Sequence, residues 1–208
     1  MKYPIYKTLK TILKPLFNFF CNVQISGLEN IPKEGPVILA GNHTSNFDAL
    51  IMLDGPDRIV HMLAKKELFK GKFKNWFFRG MACIPVDRSI HDKEATGEAI
   101  DMLNNGNIIG IFPEGTINKT SEDVLPFKYG AVSFAKKTGA PIVPFAITGK
   151  YKIFRDSIKI TYGKPFKVDG DLDNENIKLM NKVIKLKGDN SWKVMFTMGK
   201  HGINCLNH

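Results

Sequence analysis

The sequence predicts an α/β fold: a mainly parallel sheet flanked by helices, preceded by an N-terminal amphipathic helical element. Three observations predict it. From residue 24 onward, short apolar runs such as "PVILAGN" and "NIIGIF" alternate with stretches of helical period. The runs are apolar throughout instead of alternating, as strands buried on both faces are. Finally, His43, Asp87–Arg88 and Glu114–Gly115 each follow directly on such a run, where open parallel sheets bind their ligands.

Residues 1 to 23 read as a helical segment of their own. Ile5, Tyr6, Leu9, Ile12, Leu13, Leu16, Phe17 and Phe20 recur at helical spacing. Lys2, Lys7, Lys10 and Lys14 are unopposed, because the first acidic residue is Glu29. Pro15 is expected to kink or break this helix. A basic helix with an aromatic-rich face suits a membrane interface, where each lysine near an anionic surface adds about 1 kcal/mol of attraction.

The α/β domain is expected over residues 24 to 187. "GPVILAGN" is its first buried strand, and "SNFDALIML" a helix capped by Ser45 or Asn46. "MACIPV" is a strand, "DKEATGEAIDMLNNG" a helix ended by Asn105–Gly106, and "NIIGIF" a further strand. "GAVSFAKKTG" is a helix stopped by Gly139, while "PIVPFAI" and "SIKITYG" are strands. "DLDNENIKLMNKVIKLK" carries acids early and lysines late, the order a helix dipole favours. Residues 188 to 208, with Trp192 and Phe196, show no clear period and are expected to form a tail.

Charge and composition narrow the function. Thirty basic against twenty acidic residues give a net charge of +10, which favours a polyanionic partner. Cys21, Cys83 and Cys205 are too few and too widely spaced for a disulfide framework or a zinc knuckle. No run approaches the roughly 18 apolar residues that span a bilayer, and the N-terminus lacks the features of a signal peptide. The expected location is therefore the cytoplasmic face of the cell membrane, peripheral or monotopic.

The stretch "AGNHTSNFDALIM" places His43 five residues ahead of Asp48. At the same offset His61, His91 and His201 are followed by Lys66, Thr96 and Leu206. A carboxylate folded back onto one imidazole nitrogen fixes the tautomer and leaves the other nitrogen free as a base. A capped helix beside a satisfied histidine gives the same spacing. No serine or cysteine lies in a G-x-S-x-G elbow, so direct transfer is more economical than a covalent enzyme intermediate.

Other blocks surround this pair. "FPEGT" makes an abrupt strand-to-loop turn that sets Glu114 over the sheet edge, with Gly115 allowing close backbone approach to a ligand. In "IPVDRS", Arg88 is placed to make a bidentate contact with a phosphate. Lys65, Lys66 and Lys128 add positive charge, and Lys128 precedes a helix, itself a favourable anion site.

In this order "NHTSNFD", "IPVDR", "FPEGT" and "PIVPFAITG" resemble the four motifs of the glycerolipid acyltransferases, in particular the bacterial 1-acylglycerol-3-phosphate acyltransferases. "AKKELF" at residues 64 to 69 is similar to a further stretch of the same family, and the resemblance runs to about Lys187. It implies that His43 deprotonates the acceptor hydroxyl and that Asp48 holds its tautomer. The acceptor oxygen would attack an acyl thioester, acyl-CoA or acyl carrier protein, giving an ester and a free thiol. With lysophosphatidic acid as acceptor the product is phosphatidic acid; glycerol 3-phosphate or another lysophospholipid would undergo the same chemistry. Arg88 and Lys65 or Lys66 would serve the acceptor phosphate, while Glu114 and Gly115, with Thr116 beside them, would help seat the glycerol backbone. The N-terminal element would dock on an anionic membrane, and neither cofactor nor metal is implied. Many relatives continue the third motif as E-G-T-R where this chain has Ile117, so Lys119 or Lys128 is expected to replace that arginine.

Two other classes fit less well. A nucleic-acid-binding protein would need an aromatic RNA motif, zinc spacing or a basic recognition helix, and none is present. A metal hydrolase would need further histidines spaced to complete a ligand set around His43 and Asp48.

Overall fold

The structure is a computed structural model that describes residues 3–21, 23–87, 92–149, 151 and 158–188. Arg88 and residues 189–208 of the expected 188–208 tail lie outside the described residues. Within them, seven strands form one sheet: β1 (Gln24–Ser26), β2 (Val37–Gly41), β3 (Val60–Lys65), β4 (Ile84–Val86), β5 (Ile108–Ile111), β6 (Ile142–Gly149) and β7 (Ile158–Tyr162). Their order is β1-β7-β6-β2-β5-β3-β4. Every neighbouring pair is parallel except β6 and β7. The expected mainly parallel sheet is thus present, with β2 at its centre.

Strand β2 shows why the core has two sides. Val37 and Leu39 point into one apolar cluster, Ile38 and Ala40 into the other, and all are fully buried. The first cluster packs against α1 (Pro4–Cys21), α2 (Asp48–Asp54) and α3 (Lys72–Gly80), through residues that include Tyr6, Ile51 and Phe77. The second packs against α4 (Lys93–Asn104), α5 (Gly130–Thr138) and α6 (Leu172–Leu186), through Leu103, Ala131 and Val183. Helices therefore cover both faces, as the unbroken apolar runs require.

Helix ends follow local chemistry. Asp92 caps α4 by accepting from the Ala95 N–H at 3.0 Å, and Asp171 caps α6 by accepting from the Asn174 N–H at 3.0 Å. Gly139 ends α5 in the left-handed conformation.

Four details differ from the sequence reading. Helix α2 starts at Asp48 after Phe47, so neither Ser45 nor Asn46 caps it; the Ser45 hydroxyl instead accepts from the Phe47 N–H within the turn. The run "MACIPV" is a strand only from Ile84, because Met81, Ala82 and Cys83 donate back to carbonyls of α3 and close its end. Strands β1 and β3 and helix α3 are additional elements. Helix α1 runs through Pro15 unbroken. Thr11 and Pro15 are both exposed there, so water can replace the bond that proline removes.

No helix among the described residues is long and apolar enough to cross a membrane. Helix α1 is tied to the domain through Tyr6, which is buried and accepts a hydrogen bond from the Val60 N–H at 3.1 Å. Burial pushes the Tyr6 phenol up to about 12. Tyr6→Phe leaves a buried N–H of β3 unpaired and is expected to cost about 1–3 kcal/mol. Chemical denaturation checks this; an unchanged midpoint would mean that α1 is not held through this bond.

Candidate active site

The site lies at the carboxyl ends of β2 and β5. Gly41 ends β2 because no side chain fits: a Cβ there would sit 2.2 Å from the Phe145 carbonyl oxygen of β6. Asn42 then extends the pairing with its side chain. Its Nδ2 donates to the Ile147 carbonyl at 2.9 Å, and its Oδ1 accepts from the Ile147 N–H at 2.7 Å. The backbone is therefore anchored one residue before His43.

His43 and Asp48 are brought together as the spacing suggests. The imidazole Nδ1 lies 2.9 Å from Asp48 Oδ2, and the ring stacks on Phe112 with centroids 4.1 Å apart. Asp48 is fully buried. Its Oδ2 also accepts from the Thr44 N–H at 2.5 Å and the Ser45 N–H at 2.9 Å. Its Oδ1 accepts from the Thr44 hydroxyl at 3.1 Å and the Tyr151 hydroxyl at 2.5 Å. Desolvating a carboxylate costs several kcal/mol, and these donors offset it. With Asp48 accepting at Nδ1, the neutral ring carries its proton there and leaves Nε2 with a free lone pair.

Glu114 meets this arrangement from β5. It is buried, and its Oε1 accepts from the His43 N–H at 2.7 Å while Oε2 accepts from the Leu125 N–H at 2.8 Å. The Asn118 N–H donates to the His43 carbonyl at 2.8 Å, so the loop after β5 grips His43 through both of its backbone polar groups. Burial raises the Glu114 carboxyl above its ordinary range, against the lowering pull of the Leu125 and His43 N–H bonds.

The cationic residues surround this core. Gly115 adopts a positive φ of 70°, and Lys128 lies across it: a Cβ on Gly115 would be 3.1 Å from Lys128 Cε. Thr116 is exposed on the same loop. Lys65 pairs across strands with Val86 at the end of β4. Lys65 is exposed and 3.5 Å from Glu67. A cavity of about 350 Å³ opens beside the site between Val86, Phe112, Gly115, Lys128 and Phe134. A second, of about 510 Å³, is lined by Lys66, Lys70 and Arg79. Asp87 and Asp92 border both.

Sequence reasoning did not single out Asn42, Phe112 or Tyr151 as site residues. Asn42 and Phe112 directly precede His43 and "PEGT", where strand-end position was the available signal. Tyr151 lies 103 residues from Asp48, and nothing local announces it.

A buried carboxylate therefore holds a histidine at the end of a central parallel strand. The family model for acyltransferases ("Acyltransferase") matches residues 22–148, and the chain belongs to that family. The 1-acyl-sn-glycerol-3-phosphate acyltransferase of Bacillus subtilis (strain 168) is 35% identical over 167 residues, covering 77% of this chain and 82% of that protein. The enzyme of the same name from Borreliella burgdorferi is 36% identical over 141 residues, covering 67% of this chain but only 56% of that protein. Among solved structures, the 1-acyl-sn-glycerophosphate acyltransferase PlsC of Thermotoga maritima superposes with a TM-score of 0.72 at 28% identity. That superposition covers 89% of this chain and 80% of PlsC.

Glu114→Gln tests the grip on His43. The amide keeps one acceptor but turns its NH₂ towards a second N–H donor, which is expected to destabilise the fold by about 1–3 kcal/mol. Because the folded-state value of Glu114 is raised, its titration contributes stability at low pH that is lost as pH rises through that value. The stability advantage of wild type over Glu114→Gln should therefore shrink as pH rises through the carboxylate range. A pH-independent difference in denaturation midpoints would contradict this.

Proposed function

We propose that the protein transfers a fatty acyl group from an acyl thioester to the free hydroxyl of 1-acylglycerol 3-phosphate, giving phosphatidic acid. The observation that carries the reading is the fully buried Asp48 held against His43 Nδ1. The names and coverage of the relatives support the choice of acceptor. His43 Nε2 takes the hydroxyl proton as the acceptor oxygen attacks the thioester carbonyl, and Asp48 stabilises the imidazolium that forms. Collapse of the tetrahedral intermediate breaks the C–S bond, and the departing thiolate takes the proton from His43. Proton and acyl group are both accounted for, so no cofactor is invoked. The donor is acyl-CoA or acyl carrier protein.

Lys65, Lys66 and Arg88 are assigned to the acceptor phosphate. With Ile117 in the arginine position, Lys128 is a better replacement than Lys119, because it already lies over Gly115 and lines the cavity. Glu114 shapes the pocket for the glycerol backbone through the His43 loop, with Gly115 and Thr116 at its surface. Helix α1 carries exposed Ile12 and Phe19 and the basic Lys7, which supports peripheral docking on the cytoplasmic face of an anionic cell membrane.

Two variants test the chemistry. Thiol release from acyl thioester on adding lysophosphatidic acid should fall about 10²–10⁴-fold in both His43→Ala and Asp48→Asn. Retention of acceptor-dependent release in His43→Ala would sink the mechanism. Lys128→Ala should raise KM for phosphorylated acceptors about 10–100-fold, the worth of one charge-assisted hydrogen bond. An equal KM in wild type and Lys128→Ala would return the phosphate to Lys65, Lys66 and Arg88 alone.

A further inference from the structure

Helix α3 has a composition that neither the core nor the site explains. The stretch "KGKFKNWFFRG" from Lys70 to Gly80 contains Lys70, Lys72, Lys74 and Arg79 and no acidic residue. Its inner side is anchored: Phe77 and Phe78 pack on the core, and Phe78 lies 5.5 Å from Phe69 between ring centroids. Its outer side is not. Phe73 is 73% and Trp76 61% exposed, one turn apart, with centroids 5.9 Å from each other. Arg79 is turned to Glu98 of α4, so the charge around the two aromatics is that of three exposed lysines.

We propose that α3 is a second membrane-contact element: Phe73 and Trp76 enter the interface of an anionic bilayer while Lys70, Lys72 and Lys74 face lipid phosphates. Aromatic rings protruding from a helix and flanked by lysines match the headgroup region, where an apolar body and adjacent cations are both satisfied. The helix packed against it also carries exposed apolar side chains. Gly80 admits Ile5 of α1, since a Cβ on Gly80 would be 2.4 Å from Ile5 Cδ1, and α1 leaves Ile12 and Phe19 exposed. Leu68, in the short 3-10 turn between β3 and α3, is exposed as well. That turn begins at Lys66, so the bilayer would hold the far end of the segment assigned to the acceptor phosphate. This deepens the proposed function by placing the site at the lipid surface from which its acceptor comes.

The test uses the full chain and vesicles of phosphatidylcholine with or without phosphatidylglycerol, and it needs no turnover, so it fails independently of the acyl-transfer reading. Phe73→Ser/Trp76→Ser should bind anionic vesicles about tenfold or more weakly, with unchanged thermal unfolding because both side chains are exposed. Lys72→Glu/Lys74→Glu should lose the preference for anionic over neutral vesicles. The chain has two tryptophans, and with Trp192 replaced by phenylalanine the emission of Trp76 should shift to the blue on adding anionic vesicles. Wild-type binding by the serine pair, or an unmoved Trp76 spectrum, overturns the proposal. So does full vesicle binding by the serine pair combined with weakened binding to acyl carrier protein, which would assign this face to an acidic carrier.

Discussion

At the start of α2 the Asp48 carboxylate sits without solvent contact, and its burial is the constraint that orders the rest of the site. Removing a carboxylate from water costs several kcal/mol, and the cost is met only when charge-assisted donors surround it. Here those donors come from the chain between β2 and α2 and from Tyr151 beyond β6. The loops after two neighbouring strands must therefore be in register before the charge is tolerated. Asn42 sets that register by pairing its amide with both backbone groups of Ile147. Among the described residues His43 supplies the imidazole donor to this carboxylate, so its ring orientation follows from the need to satisfy the acid.

The loop after β5 completes the constraint from the other side. Glu114 accepts from the His43 backbone while Phe112 stacks on its ring, so backbone and side chain are fixed by one strand end. Gly115 keeps that loop low enough for Lys128 to cross it. A parallel sheet makes this economical: β2 and β5 are neighbours and end on the same edge, so short loops bring His43, Asp48, Glu114 and Lys128 together. The cations lie on the outside of this arrangement, exposed to a partner that must come from solution or from a membrane.

What could be read in the sequence was local. The apolar runs gave most strands, and the helical stretches read from Asp92 and Asp171 onward are α4 and α6, although their aspartate caps emerge only from the structure. His43 and Asp48 share one loop, so their contact follows from a five-residue spacing. Strand β3 escaped because buried His61 interrupts its apolar run and Lys65 ends it. Helix α3 escaped because lysines alternate with aromatics and its first turn has no side-chain cap. Tyr151 could not be placed without the strand order that sets β6 beside β2. Glu114 was legible as a strand-end acid, but not as the clasp on the His43 backbone, which depends on the path of the loop from Asn118 to Leu125.

The most direct test of this account is the protonation pattern of the His43 ring, read by long-range ¹H–¹⁵N correlation in wild type and Asp48→Asn and assigned with His43→Ala. If Asp48 orients the base, neutral His43 in the wild type carries its proton on Nδ1 with Nε2 bare, and the amide introduced by Asp48→Asn disturbs that tautomer. A wild-type ring protonated at Nε2, or one unchanged by Asp48→Asn, would contradict the claim that the buried carboxylate holds His43 ready to accept a proton.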